Sequence, residues 1–146
     1  MTSLIDNNID ELIRRVRQQS AMSDVVFMTA YPPRELPNPV TEYTVAVNHT
    51  GIKTAQVFVG EAVGAGRKGR LYDAALVLRT YAPRHTAASA LLRITALLAD
   101  AIEAADTDGA VAQISLGEVV YENAARTVYR DVNVSLRYLI SGEGSY

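Results

Sequence analysis

The stretch LYDAALVLRTY, residues 71–81, decides the fold. In an extended chain Ala74, Leu76 and Leu78 point one way, and Ala75 and Val77 the other. Alanine and leucine also favour helix, so a helical reading competes. No capping residue precedes the stretch, and it ends in TYAP, which favours a strand. A strand apolar on both faces is expected at the centre of a sheet, covered on both sides.

Working outward from it, Thr86 is placed to cap a helix over 87–105. Its buried face is Ala90, Leu91, Ile94, Leu97, Leu98, Ala101 and Ile102. Gly109 ends that segment. Residues 111–123 read as a strand running into a turn at Glu122 and Asn123. Residues 127–140 give the clearest strand signal in the chain. Val128, Val132, Val134, Leu136, Tyr138 and Ile140 alternate with Tyr129, Asp131, Asn133, Ser135 and Arg137. Val132, Val134 and Leu136 are expected to face inward beneath a helix. Residues 141–146 form a loose tail.

In the other direction, residues 64–70 are a flexible basic loop. Residues 53–63 and 41–50 alternate as strands, with Gly51 marking a turn between them. Pro32, Pro33, Pro37 and Pro39 make 32–40 an extended surface crossing. A short β-rich run covers 24–31. The first helix spans roughly 3–20, with the stripe Leu4, Ile5, Ile9, Leu12, Ile13 and Val16. Thr2 or Ser3 can cap it, and Asp10–Arg14 and Glu11–Arg15 are spaced to pair along it. The order lacks repeated strand–helix–strand units. It predicts a single α+β domain over 1–146, with a mainly antiparallel sheet and two helices packed on one face.

Composition narrows the function classes. The chain has 146 residues, 49% apolar and 21% charged, which suits one domain with a substantial core. A net charge of −2 gives no global field for nucleic acid or acidic membranes. There is no cysteine, so disulfides and thiolate chemistry are excluded. The start, MTSLIDNNIDEL, is acidic and amphipathic, unlike a secretory signal, and no apolar run approaches a membrane span.

Gly64, Gly66 and Gly69 spell G-x-G-x-x-G, the pattern of a dinucleotide-binding turn. That turn must open a helix, whose N-terminal amides hold the pyrophosphate. Here a strand is expected to follow, and the acidic residue about 20 positions on is missing. A nucleotide role remains only a remote alternative. Arg67, Lys68 and Arg70 place three cations in four residues, which keep a hairpin tip solvated or reach a partner. Asp100, Glu103, Asp106 and Asp108 gather at the end of the second helix, where carboxylates oppose the helix dipole. His49 and His85 have no metal-ligand spacing, and no G-x-S-x-G elbow supports a serine nucleophile. Neither a catalytic group, a cofactor nor a metal is expected.

Two stretches carry a resemblance across nearly the whole chain. They are YAPRHTAASALLRITALLADAI, residues 81–102, and ISLGEVVYENAARTVYRDVNVSL, residues 114–136. Together with the amphipathic first helix, the proline-rich crossing and the V-A-V strand, they resemble the tail-terminator, or tail-completion, proteins of tailed bacteriophages and related contractile particles. The resemblance implies a structural virion protein at the tail–neck junction, assembled in the host cytoplasm. It implies a ring, commonly a hexamer, that caps the tail tube and ends its growth. Implied partners are other copies of the chain, the tube protein, a neck or connector protein, and the sheath where the tail contracts, with DNA passing through. Other neck and adaptor proteins share the arrangement and stand as the alternative. In such a ring Arg67, Lys68 and Arg70 would meet Asp100, Glu103, Asp106 and Asp108 of a neighbour.

Overall fold

The computed structural model describes residues 2–29, 40–59, 68–107, 109–123 and 126–142. The proline-rich crossing and most of the basic loop therefore lie outside the described residues. The elements are α1 (Thr2–Arg17), a 3₁₀ turn (Ser20–Met22), β1 (Val25–Thr29), β2 (Tyr43–Val59), β3 (Lys68–Tyr81), α2 (Ala88–Ala105), β4 (Val111–Glu122) and β5 (Thr127–Gly142). The strands form one sheet in the order β1-β2-β3-β5-β4. Only the β1–β2 pairing is parallel. This is the α+β domain expected, with both helices on one face.

The stretch 71–81 is strand, and it is central. Its even face is closed: Tyr72, Ala74, Leu76, Leu78 and Thr80 are all buried. Its odd face differs from expectation. Ala75 is exposed, and Asp73, Val77 and Arg79 are half-buried. Both helices lie on the even side, so the small residues on the other side face outward. Apolar character on both faces of a strand therefore does not mean two covering layers.

β5 matches its period-two pattern. Val132, Val134 and Leu136 are buried opposite Leu78, Leu76 and Ala74. Ile9, Leu12 and Val16 of α1 and Leu98, Ala101, Ile102 and Ala105 of α2 close over them in a single core.

Three local expectations are corrected. Gly51 makes no turn: 41–50 and 53–63 form one strand, β2, with irregularities at His49/Gly51 and Thr54/Gln56. A long partner strand carries pairing past the glycine, which lies opposite Ala75, with the irregularity at the step before it. Thr86 does not cap α2. Ala87 holds that position without a side-chain bond, and the Thr86 amide instead donates to the Pro83 carbonyl at 3.1 Å. On α1, Arg14 turns to Glu11 rather than Asp10, and Arg15 shares the same carboxylate at 3.6 Å. The Arg14 guanidinium holds the Glu11 carboxyl below its ordinary range. Gly109 keeps its expected place after α2, at φ 67°, a backbone region that favours glycine.

Leu136 is 1% exposed at the centre of the core. Leu136→Ala should cost about 2–5 kcal/mol in denaturant melts. A loss below about 0.5 kcal/mol, the range of surface changes, would contradict its placement.

Candidate assembly surface

The open face of the sheet carries paired charges. Arg79 of β3 donates two hydrogen bonds to Asp131 of β5, at 2.8 and 3.1 Å. Arg137 of β5 does the same to Asp73 of β3, at 2.8 and 3.2 Å. Each pair sits directly across the ladder. The Arg79 guanidinium also lies over the Tyr129 ring, 4.1 Å from its centroid. Tyr129 in turn packs on Tyr81, ring centroids 5.5 Å apart, beside the buried Val40. The hydrogen bonds to Asp131 raise the Arg79 pKa well above its ordinary range.

On the opposite face Arg130 fastens three elements. Its Nε donates to the Gly117 carbonyl at 2.7 Å, and its Nη1 donates to the Thr95 hydroxyl at 2.9 Å. Thr95 is fully buried in α2, where it donates to the Leu91 carbonyl at 2.8 Å. The sequence reading missed Thr95, because a hydroxyl interrupts an apolar stripe. The bulge between Leu116 and Val119 accompanies the Gly117 contact.

The charged residues expected at a subunit contact are described only in part. Arg67 and Asp108 lie outside the described residues. Lys68 and Arg70 belong to the start of β3, with backbones opposite Gly142 and Ile140. This also answers the G-x-G-x-x-G pattern, because a strand and not a helix follows it. Asp100 and Glu103 are exposed on α2. Asp106 has work within the subunit: its carboxylate accepts the amides of Ala110 at 2.9 Å and Val111 at 3.0 Å. The end of α2 is supported from α1. Arg15 donates to the Ala105 carbonyl at 3.3 Å, and Gln19 donates to the Ala101 carbonyl at 2.7 Å. A guanidinium at the negative end of α2 offsets the acids there.

Two clefts occur at the end of the sheet where β1, β2 and β5 begin. One, of about 310 Å³, is bordered by Asp24, Val26, Glu42, Tyr43 and Pro83. The other, of about 320 Å³, is bordered by Arg84, His85, Thr86, Tyr121, Arg126 and Thr127. The first therefore carries two carboxylates beside edge strand β1. The second carries two guanidiniums and an imidazole beside edge strand β4. His85 and Arg126, at φ 66° and 52°, are the two non-glycine residues at positive φ among the described residues. Both border the basic cleft. Such backbone costs about 1–3 kcal/mol each and persists where the surroundings impose it.

Exposed apolar side chains follow the same edges. Val26 is on β1, and Leu116, Val120 and Tyr121 are on β4; Leu92 of α2 is the other large apolar residue exposed among the described residues. Among the described residues no group of three or more metal-ligating side chains occurs, and no helix is long and apolar enough to cross a membrane.

Burial raises the Tyr81 pKa above its ordinary value near 10, and the Glu122 carboxylate adds to the effect. Below about pH 10 the phenol is neutral in folded and unfolded chains alike, and its contribution to stability is complete. At higher pH the unfolded chain ionises first, so stability falls until the folded phenol ionises too. Tyr81→Phe should therefore flatten the alkaline loss of stability and remove a step above about pH 10 from the tyrosinate absorbance titration. An unchanged step there would assign it to another tyrosine.

No protein-family profile matches the chain, and no curated protein matches it significantly.

Proposed function

We propose that this chain is a structural subunit that assembles with copies of itself into a ring capping a phage tail tube. Such a ring ends tube growth and joins the tail to the neck or head. The observation that supports self-assembly is the distribution of exposed apolar residues. Among the described residues, four of the five large ones lie on the two edge strands, β1 and β4. An open sheet edge is a template for another chain, and apolar residues beside it add area to bury. The tail-terminator resemblance of residues 81–102 and 114–136 supplies the identity of the assembly. Within it, the tube protein, a neck or connector protein and, in contractile tails, the sheath are the further partners.

The alternative is a neck or tail-completion adaptor, which would bind its partner without forming a closed ring of its own. Sedimentation of the purified protein, alone and with tail tubes, separates the two. The ring reading expects a discrete species at a multiple of 15.8 kDa, six-fold for a hexamer. A single subunit under both conditions would leave only the adaptor.

A further inference from the structure

We propose that the acidic cleft beside β1 receives the basic cleft beside β4 of a second copy of this chain. The contact would repeat around a head-to-tail assembly, and it rests on the ring reading above. The clefts are nearly equal in size and opposite in charge. Asp24 and Glu42 border one; Arg84 and Arg126, with the His85 imidazole, border the other. Each also has an exposed apolar side chain at its rim: Val26, 42% exposed, and Tyr121, 59% exposed.

The charges in these clefts are not paired within the subunit among the described residues. Elsewhere three arginines pair with carboxylates, Arg14 with Glu11, Arg79 with Asp131 and Arg137 with Asp73, and Arg130 is held by the Gly117 carbonyl and the Thr95 hydroxyl. Among the described residues Arg84, Arg126, Asp24 and Glu42 form no ion pair. The left-handed backbone at His85 and Arg126 sets them apart again, since each holds its side chain at the basic cleft.

A second copy supplies what each cleft lacks. Its carboxylates meet the guanidiniums, and Val26 and Tyr121 bury apolar area between them. The clefts lie at one end of the sheet, the first against edge strand β1 and the second against edge strand β4, and they meet at Pro83 and Arg84. A contact between the acidic cleft of one copy and the basic cleft of the next leaves one cleft of each kind free. That is a heterologous contact, which continues until the rotation closes a ring. Exposed pairs contribute modestly, and reversing two of them should weaken association about tenfold.

The chain has no cysteine, which makes cross-linking a clean test. V26C and Y121C subunits, mixed and treated with a short bis-maleimide, should give a linked dimer. Neither variant alone should link comparably. A chain carrying both substitutions should give a ladder in steps of one subunit. Adding D24K and E42K to the V26C chain should suppress the link, and adding R84E and R126E to its Y121C partner should restore it. Circular dichroism melts confirm that each variant is folded. Where a reversal variant does not fold, salt provides the second measurement: the yield from the unreversed mixture should fall several-fold as salt screens the pairs.

The proposal is overturned by no link in the mixture, or by equal linking of either variant alone. A doubly linked dimer that never extends, or a yield indifferent to charge reversal and salt, overturns it as well. Any of these results with a wild-type oligomer intact removes the cleft pairing and leaves the ring reading. A wild-type chain that stays single with and without tail tubes removes both.

Discussion

The register between β3 and β5 is the constraint on which the rest of the structure depends. Alternation of apolar residues decides which face of a strand is buried, because a slip of one residue would turn every core side chain outward. It does not distinguish slips of two. The charges do. Asp73 and Arg79 on β3 meet Arg137 and Asp131 on β5, so each strand carries an aspartate six residues before an arginine. Antiparallel pairing aligns the two motifs in one register only. A shift of two in either direction would put Asp73 opposite Ser135 or Leu139, and Arg79 opposite Asn133 or Tyr129. Both ion pairs would be lost together. Each exposed pair adds only about 0–1 kcal/mol, so their effect is on choice of register more than on total stability. Arg79→Ala and Asp131→Ala should accordingly show a coupling of about 1 kcal/mol or less in a double-mutant cycle of denaturant melts. A coupling of zero would leave the register to packing alone.

Once β5 is fixed, other contacts follow. Arg130 comes to lie opposite Thr80 on β3 and Val119 on β4. From there it reaches both the Gly117 carbonyl and the Thr95 hydroxyl, binding β4 and α2 to the same strand. The Leu98, Ala101, Ile102 and Ala105 side of α2 then covers the rows of Leu76, Leu78, Val132 and Val134. Gln19 and Arg15 tie α1 to the end of α2. The helices are thus positioned by hydrogen bonds at their ends as well as by apolar packing.

What could be read in the sequence follows from how far each signal reaches. The alternation of 127–140 and the stripe of 87–105 are properties of one segment, and both appear in the structure with boundaries shifted by only one or two residues. Gly51 was legible as a break but not as a paired position inside a strand, because its role depends on Ala75, its distant partner. Ala75 and Val77 looked like core because the sequence does not say which face the helices choose. The ion pairs had a signal, the aspartate–arginine spacing repeated in two strands, but it gains meaning only once those strands are neighbours. The clefts had none. Asp24 and Glu42 are separated by the proline-rich crossing, and Arg84 and Arg126 by a helix and a strand. The clusters of charge close in sequence, Arg67 to Arg70 and Asp100 to Asp108, stood out for their density and, in the acids, for opposing the helix dipole. Asp106 shows the weakness of that cue, since its carboxylate serves the α2–β4 connection.

A sheet with two exposed edges must keep them from pairing indiscriminately. β1 manages this by being five residues long. β4 has twelve residues, but register irregularities at Val111/Gln113 and Leu116/Val119 interrupt it. Gln113, Ser115 and Glu118 place polar groups between its apolar ones. Bulges and polar residues of this kind oppose continuous strand addition by an arbitrary chain. They leave short apolar positions, Leu116 on one side of the bulge and Val120 and Tyr121 on the other. Such positions gain from contact only when a partner also satisfies the charges nearby. Electrostatic complementarity supplies that condition, because a like charge in the wrong partner is repelled while a matched one is steered into place. Edges of this kind favour a partner whose surface carries the opposite pattern, which in the proposed contact is the other edge of a second copy.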